Sequence, residues 1–523
     1  MSTVISRCRL PGSGGSGHGA RRFPFEILFL SMQSAQPEPA LAEILGFLSR
    51  GQPRLAADRA MALLADQPDH AEAQRLYGVA LFRLEDSDAA IAALSRAVEL
   101  SPISPPAAWG LAEALQAAGR AEEAKDALLR LISATGEEPV ALLLLARLSL
   151  ASRQSDEAYD YARRALTADP EVEGGRRILG ALAYRRGALA EAVDLLSRDR
   201  LKHGESDPGC FQARSLYALG RGAALADLPA GTTAVQRHNE AVLRALAAWR
   251  ENRTESVSRN LELAAAAKAD LAQKSDGASA GDSSVEVFAT LADLLSRLLV
   301  YRTDRPELYE GEVATLIVAI GDTHCLSAGH LVVPWQGGKA LVLPEPLLEA
   351  APSSLLAERP DPLQTAFRSA LDRLPKGAIP AICIGELDLR LTQGLFSRSL
   401  DLSESALMAE FRELASRLAA FVAAEGRARG LTPLLVTPPA SNAPLTLIPA
   451  AQRSRFLAAH KRFAATLADS ARDLGLPLLD LRAVTLSGER VEQKRYIDTN
   501  HLWPETFVEA FARHHVASEQ TSS

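Results

Sequence analysis

The 523-residue chain has little of three things: aromatic side chains (5%), cysteine (four residues) and uninterrupted apolar sequence. Few aromatics, set against 47% apolar residues dominated by Ala and Leu, argue for helices packed through small side chains rather than a sandwich of strands. Cys8, Cys210, Cys325 and Cys383 lie far apart with no C-x-x-C pair, which excludes a dense disulfide scaffold and fits a reducing compartment. No run of about 18 apolar residues is present, so no membrane-spanning helix is expected. The net charge of −7 and the absence of a Lys/Arg run remove the electrostatic basis for nucleic-acid binding. Neither glycine-rich phosphate loop, G-x-x-x-x-G-K-[ST] or G-x-G-x-x-G after a strand, occurs, and no nucleotide cofactor is expected. His324, Cys325, His330 and His501 match no common zinc spacing, so no metal is expected either.

Residues 1–36 read as a disordered extension rich in Gly, Ser and Arg. Within it, "ARRFPFEILFLSM" sets two arginines before an apolar patch in the manner of an export signal, but the patch is short and Glu26 interrupts it. Met32 offers a second translation start, and the expected location is cytoplasmic.

What the chain does have is a repeat. Ala56, Ala90, Ala124, Ala158 and Ala192 stand 34 positions apart, and the same register aligns Ile44, Gly78, Ala112, Ala146 and Gly180. Pro68, Pro102 and Pro170 form a third column at the repeat ends, with Gly136 and Gly204 at the remaining turns. Two antiparallel helices approach closely only where both carry small residues, and proline stops each second helix. These columns resemble the tetratricopeptide (TPR) repeat, in five units over about residues 37–206, with Ala226 marking a degenerate sixth. The resemblance implies an all-α TPR superhelix over 37–228 whose groove takes a protein or peptide ligand. Residues 229–311 continue as helix and linker.

From residue 312 the period changes. "VATLIVAIGD", "KALVLP", "IPAICIGELD", "TPLLVTPP" and "LPLLDL" are short apolar runs, with amphipathic segments near 361–374, 405–430, 450–475 and 504–516 between and after the later ones. Buried strands alternating with helices predict a three-layer α/β/α domain over 312–516, flavodoxin-like, with a mainly parallel five-stranded sheet; 517–523 is expected to be a disordered tail. Ligand sites of such folds gather beyond the C-terminal strand ends, where "GDTHC", "GELDLR" and "TPPASN" fall, and "DTNHLWPE" precedes the last helix. Each cluster also has a structural account: Asp322 and Thr323 as helix caps, Asp388 and Arg390 as an ion pair, Asp498 as a cap.

Together, Gly321-Asp322-Thr323 and Asp498-Thr499-Asn500-His501 resemble the first and last blocks of SGNH, or GDSL-type, hydrolases. The resemblance implies that Thr323 stands where the nucleophilic Ser does, that His501 is its general base and that Asp498 orients His501. The Thr323 backbone N–H would be one oxyanion donor. Gly337 or Gly338 in "WQGGKA" would be a second. The third block, Gly385-Glu386-Leu387-Asp388, lacks the usual Asn and resembles the "GEIDxR" variant of the family, in which Glu386, Asp388 and Arg390 would line the pocket; Asn442 is the candidate replacement amide. Cys325, two residues beyond Thr323, is the alternative nucleophile. Two functions follow. One is an ester hydrolase or acyltransferase acting on O-acyl groups, of glycans among others, with a TPR-recruited partner. The other is an adaptor that kept this fold and lost its catalysis.

Overall fold

The computed structural model describes residues 38–203, 209–274, 283–390, 394–443, 448–498 and 500–522. The expectations for residues 1–36, for Gly204, for Thr499 and for residues 275–282 of the helical continuation and linker fall outside them. The chain divides into two compact units, one ending at Leu182 and one running from Ala183.

The first unit is built of antiparallel helix pairs: α1 (Pro39–Ser49) with α2 (Pro53–Asp66), α3 (Ala71–Arg83) with α4 (Ser87–Leu100), α5 (Pro105–Ala117) with α6 (Ala121–Thr135), and α7 (Pro139–Ala151) with α8 (Ser155–Ala168). Helix α9 (Gly175–Arg185) spans the division in the chain, and α10 (Leu189–His203) follows it. Proline at the first turn starts α2, α5 and α7, where its missing N–H costs nothing. The His70, Asp86 and Glu138 side chains accept from the first-turn amides of α3, α4 and α7. Ala56, Ala90, Ala124 and Ala158 are each fully buried, which is why their column admits nothing larger. At Gly78 a Cβ would stand 2.5 Å from Leu94 Cγ, so the α3–α4 contact needs glycine.

In the second unit, helices α11 (Phe211–Ala218), α12 (Gly222–Ala226), α13 (Ala234–Arg250), α14 (Thr254–Lys274) and α15 (Ser283–Asp304) lead to the sheet. A capping box starts α13: Thr233 Oγ1 accepts from the Gln236 amide at 3.2 Å and Gln236 Oε1 from the Thr233 amide at 3.1 Å. Helices α13–α15 occupy the stretch read from the sequence as helical continuation and linker. They share a core with the α/β domain, in which Trp249, Leu246 and Leu295 pack with Leu326 and Ile497. Tyr217 Oη donates to the Pro346 carbonyl at 2.7 Å, and Arg250 pairs with Glu345 at 3.0 Å.

The α/β domain runs β1 (Thr315–Gly321), α16 (His324–Ala328), β2 (Val332–Trp335), β3 (Gly338–Pro346), α17 (Pro352–Leu355), α18 (Pro362–Asp372), β4 (Ile379–Cys383), α19 (Gly394–Arg398), α20 (Glu404–Ala428), β5 (Leu434–Val436), α21 (Ala450–Asp473), β6 (Leu478–Leu479) and α22 (Leu481–Val484). A small hairpin of β7 (Leu486–Ser487) and β8 (Arg490–Val491) follows, then α23 (Pro504–Ser522). The last helix reaches Ser522, so the tail expected from 517 is helical to that point.

The main sheet has six strands in the order β2-β3-β1-β4-β5-β6, not the five expected. All neighbours are parallel except β2, which pairs antiparallel with β3. The added strand was hidden because it is four residues long with Pro334 inside it, a residue that sheets accept only at an edge. Alternation along β1 separates two cores. Val318 and Ile320 face Phe367 of α18, Phe411 of α20 and Phe463 of α21. Ile317 and Ala319 face the other side, with Phe507 and Phe511 of α23.

Candidate active site

The site forms where β1 ends. Gly321 (φ 153°) lets the chain pass so close to β4 that a Cβ would stand 2.0 Å from the Cys383 carbonyl oxygen. The strand therefore breaks at once into Asp322-Thr323 and the short helix α16. Thr323 is partly exposed, with helical backbone angles (φ −64°, ψ −13°), and its side chain makes no capping bond to that helix. Capping falls to Asp322, whose Oδ1 accepts from the His324 amide at 3.1 Å. The Thr323 hydroxyl is left free to face the far end of the domain.

There it meets His501. Thr323 Oγ1 lies 2.9 Å from His501 Nε2, and His501 Nδ1 lies 2.8 Å from Asp498 Oδ2. Asp498 Oδ1 accepts from the Asn500 and His501 amides at 2.7 and 2.8 Å, so one carboxylate both closes the turn and grips the ring. Burial pushes the Asp498 carboxyl up, but the His501 ring and these two amides outweigh it and hold the group well below the usual carboxylate range. An ionised Asp498 only accepts, so Nδ1 carries the donated hydrogen. Nε2 is then the lone-pair nitrogen, and the Thr323 hydroxyl donates to it.

The other residues read from the sequence divide. Glu386 and Arg390 form a nearly buried pair, with Arg390 Nε donating to both carboxylate oxygens at 2.8 and 2.7 Å. Burial opposes ionisation of Glu386, but the guanidinium outweighs it and leaves the carboxyl below its usual range; His324 and His501 add to the effect. The expected Asp388–Arg390 pair does not form. Asp388 is fully buried and accepts from the Ser353 amide (2.6 Å), the Ser353 hydroxyl (2.7 Å) and the Leu395 amide (3.0 Å), so it ties loops together rather than lining a pocket. Asn442 Nδ2 donates to the Asp498 carbonyl at 3.1 Å, bracing the turn that carries His501.

Gly337 and Gly338 are not at the site. Gln336 and Gly337, both at positive φ (43° and 79°), turn the β2–β3 hairpin, and Gly338 starts β3 at the end of the sheet opposite to Gly321. The strand between separates them from Thr323 by roughly 25 Å at about 3.3 Å per residue. Cys325 is fully buried, and burial pushes its thiol well above the ordinary range, which removes it as a nucleophile. His330 is turned away, its Nε2 donating to the Trp249 carbonyl at 2.6 Å.

Two features were not read from the sequence. His324 Nδ1 lies 2.9 Å from Asp322 Oδ1, making a second Asp–His pair next to Thr323; the D-x-H spacing was its only signal. Trp249 Nε1 donates to the Leu326 carbonyl of α16 at 3.3 Å, a contact across 77 positions that no local pattern announces.

Comparison with known proteins bears on the helical part. Two tetratricopeptide-repeat family profiles match residues 41–108 and 81–148. The solved structures similar to the chain include a thermophilic TPR protein of Thermus thermophilus (18% identity, 34% of this chain and 97% of that one, TM-score 0.29). MamA from Desulfovibrio magneticus RS-1 matches with 18% identity over 32% of this chain and 98% of its own, at a TM-score of 0.28. PilF of Pseudomonas aeruginosa matches with 17% identity over 48% and 95%, at 0.34. No curated protein matches the chain by sequence. The repeats over 41–148 are thus tetratricopeptide repeats.

Proposed function

We propose that the α/β domain is an ester hydrolase or acyl-transfer enzyme of the SGNH type that acts on O-acyl groups, those of glycans among them, and that the repeats recruit a protein or peptide partner. The observation that supports this reading is the line Asp498–His501–Thr323, with contacts of 2.8 and 2.9 Å. In the reaction, His501 Nε2 takes the Thr323 hydroxyl proton as Oγ1 attacks the acyl carbon. The carbonyl π pair moves onto its oxygen. The tetrahedral centre collapses, breaking the bond to the alcohol oxygen, which leaves with the proton from Nε2. Water, or an acceptor hydroxyl, then repeats the sequence on the acyl-Thr323 ester. The Thr323 amide, which makes no hydrogen bond among the described residues, is free to receive the oxyanion.

The test is hydrolysis of an aryl acetate and of an acetylated sugar by the full chain, beside Thr323→Ala, Thr323→Ser and His501→Ala. Loss of turnover in the two alanine variants is expected; full activity in Thr323→Ala would sink the assignment. One observation favours a second reading, a TPR adaptor on a degenerate fold. Leu387 stands, only 7% exposed, where the third block of the SGNH type has its amide. An inert wild type, with turnover gained by Thr323→Ser, decides for the adaptor.

A further inference from the structure

Thr323 stands between two Asp–His pairs, and the proposed reaction uses one. In the other, His324 is held twice by Asp322: its amide donates to Oδ1 at 3.1 Å and its Nδ1 to the same oxygen at 2.9 Å. The ring is 2% exposed, and its Nε2 is buried with no hydrogen-bond partner. A buried polar nitrogen left unpaired is costly and calls for an explanation, which an absent ligand atom supplies. The His324 ring centroid lies 6.0 Å from that of His501, so the unpaired ring stands beside the proposed general base. The charged groups around it are Asp322, Glu386 and Arg390, with His501 and Asp498 across the site. Burial opposes protonation of this ring, but the Asp322 carboxylate beside it outweighs burial and raises its pKa, with Glu386 adding to the rise. The protonated ring presents Nε2 as a donor.

We infer that His324 Nε2–H is the side-chain oxyanion donor of this site, taking the place of the amide that the third block lacks. The inference rests on the ester-cleavage reading. The hole then consists of the Thr323 amide and the His324 ring. The His324 amide is already committed to Asp322, and Asn442 donates to the Asp498 carbonyl. No proton is transferred to the oxyanion; the N–H bond dipole and the ring's positive charge stabilise it while the π electron pair resides on oxygen.

The experiment uses the full chain with ring-15N histidine and paraoxon as probe, which phosphorylates a reactive hydroxyl and leaves a P–O oxygen in the oxyanion position. The His324 resonance is identified by its loss in His324→Gln. Adduct formation at Thr323 with a shift of the His324 Nε2 signal is expected. An adduct with that signal unmoved overturns the oxyanion role and leaves the Thr323 nucleophile standing. No adduct and no ester turnover overturns both. In kinetics, His324→Leu is expected to lower kcat about 100-fold with KM little changed, and His324→Gln, which keeps an N–H donor, to recover part of the loss. Wild-type rates in both variants overturn the inference.

Discussion

In helices α1–α8 the residues that make the fold recur at one spacing and meet their near neighbours in the chain. In the α/β domain, Thr323 and His501 meet across 178 positions. The Ala56, Ala90, Ala124 and Ala158 column states one instruction four times, and each copy stabilises its own helix pair. The candidate site states each instruction once. Gly321 breaks the strand, Asp498 holds a ring, and Asp322 turns the helix so that Thr323 faces outward. A repeat array therefore tolerates local damage as a change in stability, whereas a constellation assembled from distant segments loses its chemistry when one member goes.

The largest expected effect tests the second half of that statement. Thr323→Ala or His501→Ala should lower aryl-ester turnover by roughly 10⁴-fold or more, with the thermal unfolding of the first unit unchanged. Asp498→Asn should cost about 10⁴-fold, because a neutral amide no longer fixes the Nδ1–H tautomer. Retained kcat in Asp498→Asn, at unaltered fold, would mean that the line of hydrogen bonds is structural only.

A pH experiment separates the units next. Burial pushes the His330 and His460 rings down to about 4, each donating Nε2–H to a backbone carbonyl, of Trp249 and Leu389 respectively. Their folded pKa lies below the unfolded value near 6.5, so the unfolded chain binds the extra protons as pH falls. The stability they contribute is whole above about 6.5 and is lost between there and 4, by up to roughly 3 kcal/mol for each ring. His324, raised by Asp322, works in the opposite sense, and the depressed Asp498 and Glu386 lose their contribution only in the carboxylate range below. Urea midpoints of the second unit should fall from pH 7 to 5, and His460→Leu should flatten the slope while lowering stability at pH 7. An unchanged slope would remove His460 from the account.

The first unit is tested at Gly78, where a Cβ would press on Leu94 Cγ at 2.5 Å. Gly78→Val should destabilise this helix pair by about 1–3 kcal/mol, read by calorimetry, and leave ester turnover as it was. A parallel fall in kcat would contradict the separation of stability in one unit from chemistry in the other.

The same contrast governs what can be read without coordinates. The repeats were legible because a period is visible even when each residue is common, and five strands of the sheet were legible as apolar runs. Thr323, Asp498 and His501 were singled out by spacing within short blocks, and their side chains lie within hydrogen-bond distance in that line. Gly337 and Gly338 misled, because a glycine pair that turns a hairpin looks like one that opens an oxyanion hole. Asp388 misled because its partners, Ser353 and Leu395, are chosen by loop packing. The docking of α13 onto α16 left no trace, since a buried Trp in an Ala-rich helix reads as core.

That docking supplies the smallest effect and the finest test. Trp249 is buried, its indole N–H meets the Leu326 carbonyl at 3.3 Å, and its own carbonyl accepts from His330 at 2.6 Å. A helix of the α11–α15 group thus holds the segment after the Thr323 turn at two points, Leu326 and His330. Trp249→Phe removes one neutral hydrogen bond while keeping an aromatic body, and should cost about 1 kcal/mol of stability. If α13 positions the Thr323 hydroxyl as well as packing on α16, kcat should fall by up to about tenfold with KM nearly constant, since loosened α16 misplaces the hydroxyl against His501 before it alters substrate binding. A stability loss with kcat unchanged would confine α13 to packing. The boundary between helical support and the proposed chemistry would then lie at Leu326, three residues after Thr323.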